Sequence, residues 1–280
     1  MNGATNAVGR TSSEAVSGNP LIAAQRGLLG VFLISIGFLI AQTFGFLKLP
    51  VSQGIFDAIV VVLAVASTLV SLAGQLPAQN VALAAVIVGI LGGAVHVLGA
   101  FTGIPFGPIN YFPECGLRLL GTAPWFMPLL WIIAILNARG VARLILRPWR
   151  KLRVYGYWLI GITTLLVLVF VLGFEPFATH ARHYWFWSAT KLPVDWYGTP
   201  LSDFLGWVVA TLLILAFSTP ALMKKKPSRS YPEYHPLIAW TAIQLLFIGG
   251  AVSQHLTVAA IVIAIASIAV LPLAIRGANW

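Results

Sequence analysis

Leu28–Leu47 reads LLGVFLISIGFLIAQTFGFL, 20 residues without one charged side chain. A bilayer's hydrocarbon core is about 30 Å thick, and a helix rising ~1.5 Å per residue needs about 20 apolar residues to cross it. The run is therefore long enough to span, and too long for the apolar core of a cleaved signal peptide. It reads as a retained transmembrane helix. The residues before it are polar, with Gly, Ser, Thr and Asn throughout 1–19. That composition predicts a disordered tail over 1–25 and a single transmembrane domain over 26–276.

Working outward, seven further apolar runs read as spans: Ile55–Gln75, Val81–Phe101, Trp125–Leu146, Tyr155–Phe174, Phe204–Met223, Leu237–Val252 and Leu256–Ile275. Only Ser253, Gln254 and His255 separate the last two, which demands a tight hairpin. No repeat and no interdomain linker interrupts the series. The expected fold class is all-α: a polytopic bundle of about eight transmembrane helices.

Composition agrees. The chain is 59% hydrophobic and 9% charged, against about 25% charged residues in soluble domains. So little charge cannot cover a water-facing surface. The net charge of +10 does not indicate a nucleic-acid partner, because the cations lie in short segments between apolar runs rather than along a basic stripe. Membrane lipids are the partners such charges imply.

Those cations also set a topology. Arg139, Arg143, Arg147, Arg150, Lys151 and Arg153 flank the end of the fourth run, and Lys224, Lys225, Lys226 and Arg229 follow the sixth. Both segments read as cytoplasmic under the positive-inside rule. With Arg10, Arg26 and Arg276 they place both termini in the cytoplasm, and eight crossings satisfy this. The expected location is the cell (inner) membrane, multi-pass. The two longest remaining loops, about 102–124 and 175–203, then share the opposite face. They carry Glu114, Glu175, Asp195 and Asp203, with His180 and His183.

Three features there could carry chemistry. In the third run, Gly89 and Gly93 form a GxxxG pair, and His96 lies on the same face. His96 sits ~10 Å of helix rise before Gly103, within the membrane. An ionisable group there must face protein or water. It is either a neutral histidine bonding across a helix interface or part of a buried polar site. Second, Thr102-Gly103-Ile104-Pro105-Phe106-Gly107-Pro108-Ile109-Asn110-Tyr111 ends that helix in an ordered turn, with Pro113 and Glu114 after it. By composition it reads as an interfacial loop or as a site wall. Third, Tyr184, Trp185, Phe186, Trp187, Trp196 and Tyr197 make the second loop densely aromatic. Part of this is an interfacial belt. Asp203 opens the sixth helix, where it reads as an N-cap or as a catalytic acid.

The chain has neither a GxGxxG fingerprint nor a phosphate-binding P-loop. One cysteine, Cys115, excludes a multi-thiolate metal site. The five histidines form no repeated boxes. An enzyme built from these residues would work by acid–base chemistry with no cofactor and no metal.

The stretch from His96 through Thr102-Gly103-Ile104-Pro105-Phe106-Gly107 to Tyr111 and Glu114 resembles the carotenoid hydratase family of bacteria and archaea, which includes the bisanhydrobacterioruberin and gamma-carotene hydratases. Pro124-Trp125, Pro128-Leu129 and Trp131 look like that family's next helix start. Trp185-Phe186-Trp187, Tyr197-Gly198-Thr199-Pro200 and Phe204-Leu205-Gly206-Trp207 look like its second signature. The sequence departs from the family at Trp196-Tyr197 and Asp203, where a tyrosine pair and an asparagine are common. The resemblance implies addition of water to a terminal C=C of an acyclic or half-acyclic carotenoid, giving a tertiary alcohol. The implied partners are a lipophilic carotenoid within the bilayer and other enzymes of its pathway.

Under this reading Glu114 or Asp203 is the acid, and Asp195 and His96 are base or orienting groups. Thr102, Pro105, Phe106, Tyr111, Trp187, Trp196, Tyr197 and Trp207 line the end-group pocket. An end-group cyclase or isomerase begins with the same alkene protonation and shares these residues. A membrane transporter or a non-catalytic pigment-binding protein fits the polytopic pattern without them.

Overall fold

A computed structural model of the chain describes residues 20–48, 50–190, 194–223 and 233–280, without the side chain of Glu114. Most of the expected tail and the cluster Lys224, Lys225, Lys226 and Arg229 lie outside the described residues. Eight helices dominate: α1 (Pro20–Thr43), α2 (Gln53–Ala73), α3 (Ala78–Thr102), α4 (Met127–Ile145), α5 (Tyr155–Pro176), α6 (Leu201–Ser218), α7 (His235–Ser253) and α8 (Thr257–Ala278). Each is long and apolar enough to cross a membrane.

The helix ends differ from the apolar runs for local reasons. α1 begins at Pro20, ahead of Arg26, because proline suits the first helical position. Residues 20–25 are thus helical rather than part of the expected tail. α4 begins at Met127 rather than Trp125, because Ala123–Pro124 (β3) pairs with Arg118–Leu119 (β2) and Trp125 N–H donates to the Leu117 carbonyl. α6 stops at Ser218 rather than Met223, since Pro220 disfavours helix at Thr219. The expected tight hairpin is present: α7 and α8 are joined by Gln254, His255 and Leu256, with His255 at φ +58° and Leu256 N–H donating to the Ala251 carbonyl.

α4 is the axis of the bundle, touching α2, α3, α5, α7 and α8. Of its most apolar window 78% is buried, against 17% for α1, which presents most of its surface outward. A lipid solvent explains the rest: Ile34, Ile90, Leu165, Ile265 and Ile268 are apolar and exposed on helix faces. The GxxxG pair of α3 makes the expected close contact. An added Cβ at Gly93 would lie 2.9 Å from Pro128 Cγ of α4, and one at Gly89 would lie 3.4 Å from Ile132 Cδ1. The intervening Gly92 packs still more tightly, against the ring of Trp131.

The two long loops come together on one face of the bundle. Ile109–Tyr111 (β1) pairs antiparallel with Trp185–Trp187 (β4), Ile109 opposite Trp187 and Tyr111 opposite Trp185. Phe112 N–H donates to the Tyr184 carbonyl, and Ser188 N–H donates to that of Pro108. A third two-stranded pair, β5 (Asp195–Trp196) with β6 (Thr199–Pro200), leads into α6. At the end of α5, Pro176 is followed by a widened turn over Phe177–Ala181, where Arg182 N–H reaches the Phe177 carbonyl. Such i→i+5 turns are rare and favour functional sites.

Candidate functional site

Alternation along β4 sends Trp185 and Trp187 to one face and Phe186 to the other. Phe186 is exposed, while the two indoles turn inward onto the last turn of α5. There Glu175 Oε2 accepts from Trp185 Nε1 at 3.1 Å, from Trp187 Nε1 at 3.2 Å and from Thr199 Oγ1 at 3.4 Å. Glu175 is 2% exposed. A buried carboxylate is tolerable only when hydrogen-bonded in this way.

Asp203 lies in the first turn of α6 and is 1% exposed. It interacts electrostatically with Glu175 and with the Trp207 indole. Its Oδ2 accepts no hydrogen bond of ordinary geometry. An N-cap would sit before the helix, but Asp203 is inside it, and Pro200 holds the cap position. The capping alternative therefore does not describe Asp203.

Around the two acids stands a wall of rings. His96 stacks on Phe106 at 4.5 Å between centroids and meets Trp207 edge-on at 5.5 Å. Trp207 stacks on Trp131 at 4.0 Å. Phe106 is clamped from both sides by glycines: an added Cβ at Gly99 would lie 2.8 Å from its ring, and one at Gly206 would lie 2.7 Å from it. Its carbonyl accepts from Ser202 Oγ at 2.9 Å. Pro105 rests on the same Gly206. These glycines explain how the loop after α3 can lie directly on α6. His96 Nε2 is buried and without a hydrogen-bond partner.

Tyr111, on β1, completes the polar group. Its hydroxyl is buried without a partner and feels both Glu175 and Asp203. Burial first, then these carboxylates, push its ionisation above the ordinary tyrosine range. Burial and the Asp57 carboxylate do the same to Tyr184. A phenol with raised folded-state ionisation stabilises the fold below its unfolded value of about 10, and that contribution is lost as pH rises. Alkaline titration followed by phenolate absorbance should therefore show the same amplitude near pH ~10 in wild type, Tyr111→Phe and Tyr184→Phe. The variants should each lack one tyrosine only after denaturation.

The structure thus brings together His96, Pro105, Phe106, Tyr111, Trp187, Asp203 and Trp207. Other expected site residues stand apart. Thr102 is exposed and organises the helix end, donating to the Leu98 carbonyl at 2.7 Å and accepting from Ile104 N–H at 3.0 Å. Asp195 is exposed, and its Oδ1 accepts from Gly198 N–H at 2.8 Å, closing the β5–β6 turn. Trp196 Nε1 donates to the Leu172 carbonyl, and the Tyr197 hydroxyl accepts from Ala259 N–H, so both pin that turn to the bundle. Glu114 has its backbone in a short turn, Pro113–Cys115, and its side chain lies outside the described residues. Among the described residues no three His, Cys, Asp or Glu come together in a way that could hold a metal ion.

Glu175 and Trp131 join the site although neither was among the expected site residues. The available signal for Glu175 is its place at the end of an apolar run, ten and twelve residues before two tryptophans of one strand face.

A family model described as carotenoid biosynthesis protein matches residues 55–272. No curated protein and no solved structure matches the chain.

Proposed function

Because the chain belongs to the carotenoid biosynthesis protein family, we propose that it hydrates a terminal C=C of an acyclic or half-acyclic carotenoid end. The observation that carries this reading is the buried pair Glu175–Asp203 set in a wall of aromatic rings. Glu175 Oε2 accepts three hydrogen bonds, which suits the ionised form. Asp203 Oδ2 accepts none, and two adjacent carboxylates share a proton more cheaply than both ionise. In this reading Asp203 is the proton donor.

In the reaction Asp203 gives its proton to the terminal alkene carbon, and the neighbouring carbon becomes a tertiary cation. The faces of Trp131 and Trp207 stabilise that charge. Water adds to the cation, and Glu175 takes the proton it releases. Proton return from Glu175 to Asp203 restores the pair, so the net change is alkene plus water to alcohol. His96 and Tyr111 orient the water and the acid. An apolar, water-poor site is needed because bulk water would level the acid.

The family supports a role in carotenoid biosynthesis for a multi-pass membrane protein. We place it in the cell membrane, with the loops carrying Arg147, Arg150, Lys151 and Arg153 in the cytoplasm and the site near the opposite face, by the positive-inside rule. Co-expression in a host that makes lycopene tests the reaction. Pigments heavier by one or two waters are expected. Pigments of unchanged mass but altered spectrum would instead identify a cyclase or isomerase, and unchanged pigment with several acyclic substrates supplied would remove the enzymatic reading.

A further inference from the structure

At the loop end of the bundle the buried Arg182 guanidinium has an acid for a partner. Its Nη2 stands 3.4 Å from Oδ1 of Asp57 in α2, and the Tyr184 hydroxyl donates to the same carboxylate. The opposite end carries two arginines with no such partner. Arg139 and Arg143 lie one turn apart on α4, where they repel each other, and Arg139 is only 6% exposed. Arg139 Nη2 donates to the Leu222 carbonyl at 3.2 Å, and Arg143 Nη1 donates to Gln75 Oε1 at 2.8 Å. Both acceptors are neutral. Asp57, Glu175, Asp195 and Asp203 stand at the loop end, and Glu233 accepts from His235 N–H. Among the described residues no carboxylate pairs with either guanidinium.

The two arginines line a recess between α2, α4 and α7, together with Ser71, Gln75 and Leu222. Its non-atom space, mouth included, is about 360 Å³, and inside it has room for about one water-sized group. Gly140 keeps it narrow, because an added Cβ there would lie 2.4 Å from Pro236 Cβ of α7. Ser71 is 2% exposed, and its Oγ has no hydrogen-bond partner. Asn137, also on the wall, spends its amide N–H groups on Thr68 Oγ1 and the Ile133 carbonyl. Its Oδ1 is unpartnered too, but it is a neutral acceptor against two full positive charges.

We propose that this recess binds a phosphate group, with one ionised oxygen entering between Arg139, Arg143 and Ser71 and the rest of the group held at the mouth. A guanidinium buried in a membrane bundle without a counter-charge is costly, and an anion from outside the chain offsets that cost. The planar fork of arginine matches phosphate oxygens, and charge-assisted bonds of this kind are strong. Phosphate is also the anion found at this depth, since Arg143 lies in the last turn of α4, and basic pockets between helix ends take lipid headgroups. A membrane phospholipid and dissolved phosphate present the same chemistry. The inference is independent of the hydration reaction, because Arg139 and Asp203 lie at opposite ends of the bundle.

The test uses delipidated full-length protein in neutral detergent, titrated separately with labelled phosphatidylglycerol and with labelled inorganic phosphate at fixed ionic strength. A single saturable site is expected for at least one of them. Binding of the lipid alone makes a headgroup the source, and binding of inorganic phosphate makes dissolved phosphate a source as well. Diacylglycerol with the same chains should not displace the bound probe, a comparison that needs only wild-type protein. Arg139→Gln should weaken binding at least about tenfold, as expected for losing a charge-assisted hydrogen bond. The double variant Arg150→Gln with Lys151→Gln, exposed beyond α4, should change it less than about threefold, under ~0.7 kcal/mol. Displacement by diacylglycerol, undiminished binding to folded Arg139→Gln, a larger loss from the loop variant than from Arg139→Gln, or no saturable binding of either probe would overturn the proposal.

Discussion

Asp203→Asn should lower hydrated product per unit of folded protein by about 10²–10⁴-fold, the range lost when a positioned general acid is removed. Asparagine is nearly isosteric and keeps the contact with Trp207, so folding should survive. It carries no acidic proton, so the alkene goes unprotonated. Asp195→Ala is the matched comparison, since its carboxylate is exposed and closes a turn. It should cost less than about 1 kcal/mol of stability and leave turnover within about threefold, a change under ~0.7 kcal/mol in barrier. The assay is pigment mass analysis normalised to membrane protein. If Asp195→Ala is inactive and Asp203→Asn active, the acid has been misassigned.

A large structural effect should come from Gly92→Ala. An added Cβ at Gly92 falls on the ring carbons of Trp131, a buried side chain stacked on Trp207. Neither ring can retreat, because Trp131 lies on the central helix α4 and Trp207 is enclosed by His96 and Phe106. Overpacking of this kind costs about 1–3 kcal/mol. Gly161→Ala in α5 meets nothing within 4 Å and should be neutral or stabilising, since alanine is favoured over glycine in a helix interior by about 0.5–1 kcal/mol. Thermal unfolding in detergent distinguishes them. Gly92→Ala should melt clearly below Gly161→Ala and lose activity. Equal melting would contradict the packing described for α3 and α4.

The helices were legible in the sequence because a bilayer imposes a length and excludes charge. Eight apolar runs map onto eight helices, with ends displaced by a few residues where Pro20, the β2–β3 pair and Pro220 act and by ordinary capping elsewhere. The meeting of the two long loops followed from counting crossings, and β1 pairing with β4 is its physical form. His96 and Asp203 were legible together because they stand on elements that the same counting brings to one end, and Phe106 and Trp207 joined them through the family resemblance.

Glu175 reads from sequence as a loop acid, whereas it ends α5. Apolar run length does not reveal that the chain beyond Pro176 continues in a widened turn and that β4 folds back over it. Asp57 was hidden differently. One acid in a 21-residue apolar helix barely alters its hydropathy, and its partners Arg182 and Tyr184 are more than 120 positions distant. The rule that flags an ionisable residue inside the membrane applies to Asp57 as it does to His96. Asp195 and Glu114 drew attention through loop position and, for Glu114, through the family resemblance, neither of which specifies where a side chain points.

The most direct measurement is the source of the oxygen. Purified protein is supplied with an acyclic carotenoid in heavy-oxygen water, under air, and the product is analysed by mass. Cofactor-free hydration through Asp203 and Glu175 predicts a product carrying one heavy oxygen for each end modified, formed without added reductant and not by Asp203→Asn. A hydroxylated product whose oxygen comes from air, or a modified product containing no added oxygen, would contradict the account.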